Sequence, residues 1–121
     1  MAKILIAEDS HTDMKYILDT LKETGFDLII AADGEEAEQK AKAEKFDLII
    51  LDVVMPKKNG FQVCRALKQD EKLKGIPVIL LTSKTQDSDK FWGRKQGADE
   101  YITKPFHPKV LILAVRKYMG E

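Results

Sequence analysis

Four short apolar runs in the sequence each end on polar residues that can bind a metal ion or a phosphoryl group. Runs of this length, β-branched and bounded by turn residues, are typical of strands that are buried on both faces of a parallel sheet. The runs are residues 4–7, 48–51, 78–81 and 101–103, and they lead into Glu8-Asp9, Asp52, Thr82-Ser83 and Lys104-Pro105 respectively.

The polar residues at the strand ends predict a single cleft. Ligands of open parallel sheets bind at the carboxyl ends of the strands, so these groups are expected to meet there. The cleft would bring together three carboxylates, one hydroxyl and one ammonium, from Glu8, Asp9, Asp52, Thr82 and Lys104. Such a set is suited to a divalent metal ion and a phosphoryl group.

Segments with a helical spacing of apolar residues lie between the predicted strands. Ser10 and Asp13 resemble a capping box, and apolar residues recur at i, i+3, i+4 and i+7 from Met14 until Gly25 ends this first helix. The remaining predicted elements, in chain order, are a strand over residues 26–31, a helix from Asp33-Gly34 to about Lys45, a helix over residues 60–69, a helix after Ser83 that contains Phe91 and Trp92, and a helix after Pro108.

The alternation of five strands with five helices predicts an α/β fold. Parallel neighbours need right-handed crossovers, and so short a chain of βα units favours a doubly wound sheet over a barrel. We expect one domain over residues 1–121 with strand order 2-1-3-4-5, which is one of the two common orders of doubly wound sheets. The ligand cleft then lies between strands one and three, which carry Glu8, Asp9 and Asp52.

Composition excludes several other classes of protein. The 121 residues are 44% hydrophobic and 33% charged with a net charge of zero, and the basic residues are spread along the chain. Nucleic-acid and membrane partners are therefore not expected, and the absence of a long apolar run or a signal peptide favours the cytoplasm. The single cysteine, Cys64, is expected to be a small buried hydrophobe.

The strand-end motifs together resemble the receiver domain of two-component response regulators, the CheY-like proteins with a flavodoxin-like fold. The matching residues are Glu8-Asp9, Asp52 with Met55-Pro56 and Gly60 after it, Thr82-Ser83, and Tyr101 shortly before Lys104-Pro105. Residues 91–101 are similar to the same segment of stand-alone PilH-type receivers, which act in type IV pilus and chemotaxis-like systems.

The carboxylates of the predicted cleft need a cation. Two unit charges about 4 Å apart repel by about 4 kcal/mol at an effective dielectric of about 20. Oxygen ligands without histidine or cysteine favour Mg²⁺, with Mn²⁺ also suitable. The resemblance implies that Asp9 and Asp52 bind the ion directly, Glu8 through water, and Val54 through its backbone carbonyl. Glu8 stands where Asp is more frequent in the family, and the longer side chain keeps the charge.

The resemblance also assigns roles in phosphoryl transfer. Asp52 is expected to be the nucleophile and phosphoacceptor, with Lys104 and Thr82 contacting the phosphoryl oxygens. Thr82 and Tyr101 are expected to form the switch, and the Lys104-Pro105 peptide to be cis. Val54 and Lys84 occupy the positions that tune access of the hydrolytic water.

Three local expectations concern residues outside this chemistry. Asn59-Gly60 suits a turn with positive φ, and Trp92 is expected to pack within its helix. His11 and His107 are assigned to the solvated surface.

The expected function is that of a single-domain response regulator, not an enzyme beyond its own phosphorylation and dephosphorylation. It would receive phosphate from a histidine kinase or phosphotransfer protein, and as a monomer bind a downstream protein through helix four, strand five and helix five.

A second hypothesis is a receiver-like interaction module that is never phosphorylated, and intact Asp9, Asp52, Thr82 and Lys104 count against it. A metal-dependent phosphatase would need a second acid at Val54, and a flavin-binding protein a Ser/Thr-Gly-rich loop after strand one.

Overall fold

A five-stranded parallel sheet forms the centre of the computed structural model, which describes residues 2–121. The strand order is β2-β1-β3-β4-β5, as the sequence predicts. The strands are β1 (Lys3–Ala7), β2 (Asp27–Ala31), β3 (Leu48–Leu51), β4 (Val78–Thr82) and β5 (Glu100–Thr103). The helices are α1 (His11–Leu21), followed by a 3₁₀ turn (Lys22–Thr24), α2 (Gly34–Ala43), α3 (Gly60–Gln69), α4 (Asp87–Lys95) and α5 (Pro108–Tyr118).

Alternating side chains of the central strands supply two apolar cores, one on each face of the sheet. Ile4 and Ile6 of β1 pack with α1 and α5, whereas Leu5 and Ala7 pack with α2 and α3. Every residue of β3 and β4 is buried. The uninterrupted apolar runs in the sequence therefore reflect strands that are covered on both sides.

Two helices differ from their predicted form. Helix α2 ends at Ala43 rather than near Lys45, because Glu44 adopts an extended backbone at φ −134° and ψ 162°. In α4 the expectation that Trp92 packs inward is wrong, since half of its surface is exposed. The buried residue of α4 is Gly93, where a Cβ would lie 2.9 Å from the ring of Tyr101.

The loop between β3 and α3 brings the start of α3 against the end of β3. A Cβ on Gly60 would lie 2.2 Å from the carbonyl oxygen of Asp52, and the Gly60 N–H donates to the carbonyl of Val53 at 2.9 Å. The expected positive φ at Asn59-Gly60 is not present, and Lys57 has the positive φ of this loop, at 70°. Gly60 is needed for close approach rather than for its backbone conformation.

The helices described for residues 2–121 include none with the length and apolar character needed to cross a membrane.

Replacing Gly60 with alanine should destabilise the protein, because the added methyl group overlaps backbone atoms that cannot rotate away. We expect a loss of about 1 to 3 kcal/mol in the free energy of unfolding, measured by urea denaturation. Gly75→Ala is the matched control, since a Cβ there meets nothing within 4 Å. Equal stability of the two variants would contradict the close approach at Gly60.

Candidate functional site

The predicted cleft forms at the carboxyl edge of the sheet. The backbone hydrogen bonds continue one residue beyond the strands, from Glu8 N–H to the Ala31 carbonyl at 3.1 Å and from Asp52 N–H to the Ala7 carbonyl at 3.0 Å. The Lys104 N–H likewise donates to the Thr82 carbonyl at 2.8 Å. These bonds fix the backbone from which each functional side chain projects.

The ammonium of Lys104 lies at the centre of the cleft and joins three carboxylates. Its Nζ is 2.5 Å from Glu8 Oε1, 2.9 Å from Asp13 Oδ2 and 2.9 Å from Asp52 Oδ2. An ammonium has three N–H donors, so these bonds use all of them. The Lys104-Pro105 peptide is cis, as the resemblance implies.

Asp13 is the member of this cluster that sequence reasoning missed. The pattern assigned it only to the start of α1, and its backbone N–H does donate to Ser10 Oγ at 3.2 Å. Side chains on a helix tilt toward its N-terminus, so an acid in the first turn after a strand points back to the strand end. That geometric rule is the signal that identifies such a residue.

The carboxyl of Asp52 is held in its ionised form. Burial favours the neutral acid, but the Thr82 hydroxyl and the Lys104 ammonium outweigh it and lower the pKa of Asp52. The Val54 N–H also donates to Asp52 Oδ1 at 3.1 Å. Asp52 therefore has the charge state that a nucleophile requires.

The carboxyl of Glu8 shows the opposite balance. Burial raises the pKa of Glu8 to about 7, even though the Lys104 ammonium and the Ser10 N–H both stabilise the carboxylate. The nearby charge of Asp52 adds to the rise. Near neutral pH, Glu8 therefore exchanges a proton while Asp52 stays charged.

The structure brings together four of the five predicted cleft residues, namely Glu8, Asp52, Thr82 and Lys104. Asp9 lies next to them in sequence with its side chain exposed. Within residues 2–121, no three His, Cys, Asp or Glu side chains stand at metal-binding distances from one another. The cleft still fits a hard divalent cation, because its donors are all oxygen and its carboxylates outnumber its one ammonium.

The predicted switch residues are connected through the backbone of Lys84. The Lys84 N–H donates to Thr82 Oγ1 at 3.4 Å, and the Tyr101 hydroxyl donates to the Lys84 carbonyl at 2.7 Å. Burial raises the pKa of Tyr101 to about 12, so the hydroxyl keeps its proton at neutral pH. A shift of the β4–α4 loop would thus reach both Thr82 and Tyr101.

Residues outside the cleft are placed largely as expected. Cys64 is fully buried, and burial raises the pKa of its thiol to about 12. His11 and His107 are exposed, and the His107 Nδ1 accepts a bond from the Lys109 N–H at the start of α5.

Comparison with known proteins gives consistent matches over the whole chain. The family described as "Response regulator receiver domain" matches residues 4–116. Protein PilH of Pseudomonas aeruginosa is 41% identical over 120 residues, covering 99% of this chain and 99% of that protein. The solved structure of chemotaxis protein CheY4 of Vibrio cholerae has a TM-score of 0.89 at 36% identity and covers 98% of both chains.

Other matches add a metal ion and a length comparison. The receiver domain of sensor histidine kinase PA1611 from Pseudomonas aeruginosa has a TM-score of 0.91 at 26% identity, with 99% of this chain and 98% of that chain covered. That structure has a magnesium ion coordinated in its active-site cleft. Several relatives described as transcriptional or DNA-binding regulators are longer, and this chain spans 47–49% of their length.

The raised pKa of Glu8 predicts a pH-dependent stability. Because the folded-state pKa is about 7 and the ordinary value is 4.5, the folded state keeps this proton longer than the unfolded state. The contribution of Glu8 to the free energy of unfolding therefore falls by roughly 2 to 3 kcal/mol as pH rises from about 4.5 to 7. We expect Glu8→Gln to remove this fall in urea unfolding measured between pH 5 and 8 with a metal chelator.

Glu35→Gln is the matched control, because it removes the same charged group from an exposed position in α2. Its unfolding free energy should follow the wild-type pH profile. Parallel profiles for Glu8→Gln and the wild type would show that burial does not penalise the Glu8 carboxylate.

Proposed function

This chain belongs to the response regulator receiver domain family, and we propose that Asp52 is its phosphoacceptor, taking a phosphoryl group from a histidine kinase or phosphotransfer protein. The observation that carries the proposal is the buried, ionised Asp52 carboxylate at the end of β3, bonded to Lys104 beside the Thr82 hydroxyl. An isolated aspartate on the protein surface would have neither this burial nor the neighbouring ammonium and hydroxyl.

In the proposed reaction a carboxylate oxygen of Asp52 attacks the phosphorus of the donor. The bond from phosphorus to the donor nitrogen or oxygen breaks, and an acyl phosphate forms on Asp52. The Lys104 ammonium and the Thr82 hydroxyl would pair with two phosphoryl oxygens, which would supply the charge stabilisation that phosphoryl transfer needs. Beyond its own phosphorylation and dephosphorylation, no further catalysis is proposed.

A divalent cation completes the proposed site. Asp9 and Asp52 would hold Mg²⁺ directly, Glu8 through water and Val54 through its backbone carbonyl, and Mn²⁺ fits the same oxygen donors. The magnesium ion in the active-site cleft of the PA1611 receiver supports a divalent cation in this cleft. When bound, the ion supplies positive charge for the carboxylates and for the incoming phosphoryl group.

The proposed output surface is formed by α4, β5 and α5. Strand β5 is one of the two edge strands of the sheet, and an open groove of about 310 Å³ runs along it past Tyr101 to Val110. Phe91, Val110 and Leu113 are large apolar residues that are at least half exposed. A downstream protein would bind here, and the likeness to PilH and CheY4 favours twitching motility or chemotaxis as the process.

The proposal is tested by incubation with acetyl phosphate and Mg²⁺ followed by mass measurement of the intact protein. We expect the wild type to gain one phosphoryl group and to lose this gain with a chelator, since the carboxylates need the cation. Asp52→Asn should gain none, while the exposed Asp27→Asn control should behave as wild type. A wild type that never gains the mass would favour an interaction module that works without phosphorylation.

Thr82→Ala should separate phosphorylation from switching. The variant keeps Asp52 and Lys104 and should still accept phosphate. It loses the hydroxyl that contacts the Lys84 N–H, and a bond from this hydroxyl to a charged phosphoryl oxygen is worth about 1.5 to 3 kcal/mol. We expect most of the beryllofluoride-induced change in amide chemical shifts at residues 84–118 to disappear.

Ser83→Ala is the control for this prediction, because Ser83 is the exposed neighbour of Thr82 in the same loop. It should show the wild-type pattern of shifts. A full wild-type pattern in Thr82→Ala would exclude coupling through the Thr82 hydroxyl.

A further inference from the structure

We propose that Asp13 is a positioning residue for Lys104, which holds the ammonium in the resting cleft and competes for it with the phosphoryl group. The inference rests on the proposed phosphorylation of Asp52. It adds to that function a residue of α1 that sets how readily Lys104 is released.

The position of Asp13 is fixed by two contacts. Its backbone N–H is bonded to Ser10 Oγ at the start of α1, and its Oδ2 lies 2.9 Å from the Lys104 Nζ. The second contact joins residues that are 91 positions apart in sequence. Asp13 therefore connects the first turn of α1 to the loop after β5.

The three carboxylates around Lys104 differ in their access to water. The side chains of Glu8 and Asp52 are 2% and 8% exposed, whereas that of Asp13 is 45% exposed. A buried carboxylate that loses its partner is left without solvation, which is costly. Asp13 is the most exposed of the three, so water can solvate its carboxylate when the ammonium leaves.

Lys104 has no N–H left for a phosphoryl oxygen. All three donors are used by the carboxylates, so a new acceptor must displace one of them. Because Asp13 is the partner that water can replace, its bond is the one that breaks most readily. Breaking the Asp13–Lys104 bond would therefore offset part of the free energy gained when Lys104 binds a phosphoryl oxygen.

The experiment measures the apparent affinity for beryllofluoride at saturating Mg²⁺, followed by amide chemical shifts. Asp13→Asn is nearly isosteric and should bind beryllofluoride about threefold to fivefold more tightly, the range expected for loss of a half-exposed ion pair. Asp19→Asn is the matched control. It removes the same charge from α1, where Asp19 pairs with the exposed Lys15 at 3.5 Å, and should leave the affinity unchanged.

A double-mutant cycle separates this pairing from simple charge repulsion. In a Lys104→Gln background the effect of Asp13→Asn should fall below about twofold, because the bond in question is already absent. Asp13→Glu keeps the charge and should stay within about twofold of the wild type. Circular dichroism shows whether Lys104→Gln folds. If it does not, the test is whether Asp13→Asn binds beryllofluoride more tightly than both Asp19→Asn and Asp13→Glu.

A second measurement needs neither metal nor phosphoryl analogue. The same double-mutant cycle is measured by urea unfolding with a chelator. If Asp13 and Lys104 are coupled, the unfolding constant of the double variant should differ by about twofold to fivefold from the value expected for two independent substitutions. If Lys104→Gln does not fold, Asp13→Asn should raise the unfolding constant more than Asp19→Asn does, because the Asp13–Lys104 bond is shorter and less exposed than the Asp19–Lys15 bond.

The outcomes distinguish the two hypotheses. A wild type that does not bind beryllofluoride would overturn the proposed function, and the competition for Lys104 with it. A wild type that binds, with Asp13→Asn no tighter than Asp19→Asn, would overturn the role of Asp13 alone. The same conclusion follows if the gain persists in Lys104→Gln or if the unfolding cycle is additive.

Discussion

The Lys104 ammonium, shared among three carboxylates, is the interaction on which the candidate site depends. It lies beyond the end of β5 yet bonds residues that follow β1 and β3 and begin α1, so one side chain ties four elements together. Two of those carboxylates are almost fully buried, and a buried carboxylate needs a positive partner. Lys104 therefore stabilises the carboxyl ends of β1 and β3 by compensating the charge of these carboxylates.

The same cluster gives neighbouring carboxyl groups different charge states. At Glu8 burial dominates and raises the pKa, whereas at Asp52 the hydrogen-bond donors dominate and lower the pKa. The difference follows from what each group receives besides Lys104: Glu8 has one backbone N–H, while Asp52 has a backbone N–H and the influence of the Thr82 hydroxyl. The group proposed to react is thus the one kept anionic.

The cleft is connected to the protein surface by two hydrogen bonds and by the close packing of a glycine. The Lys84 peptide bonds Thr82 on one side and Tyr101 on the other. Gly93 leaves the space that the Tyr101 ring occupies beneath α4, so a larger residue there would displace the ring. Any rearrangement of this loop must therefore be accommodated between α4 and β5, which is the surface proposed for a partner.

The sequence by itself determined the alternation of five strands with five helices and four of the cleft residues, because buried parallel strands are continuous apolar runs and their carboxyl ends must lie on one side of the sheet. Only the tertiary structure decided the rest. That Asp13 contacts Lys104, that Gly60 abuts Asp52 and that Trp92 is exposed all depend on distances between segments far apart in the chain. Hydrophobic periodicity reports which face of an element is buried, and it contains no information about which distant side chain that face meets.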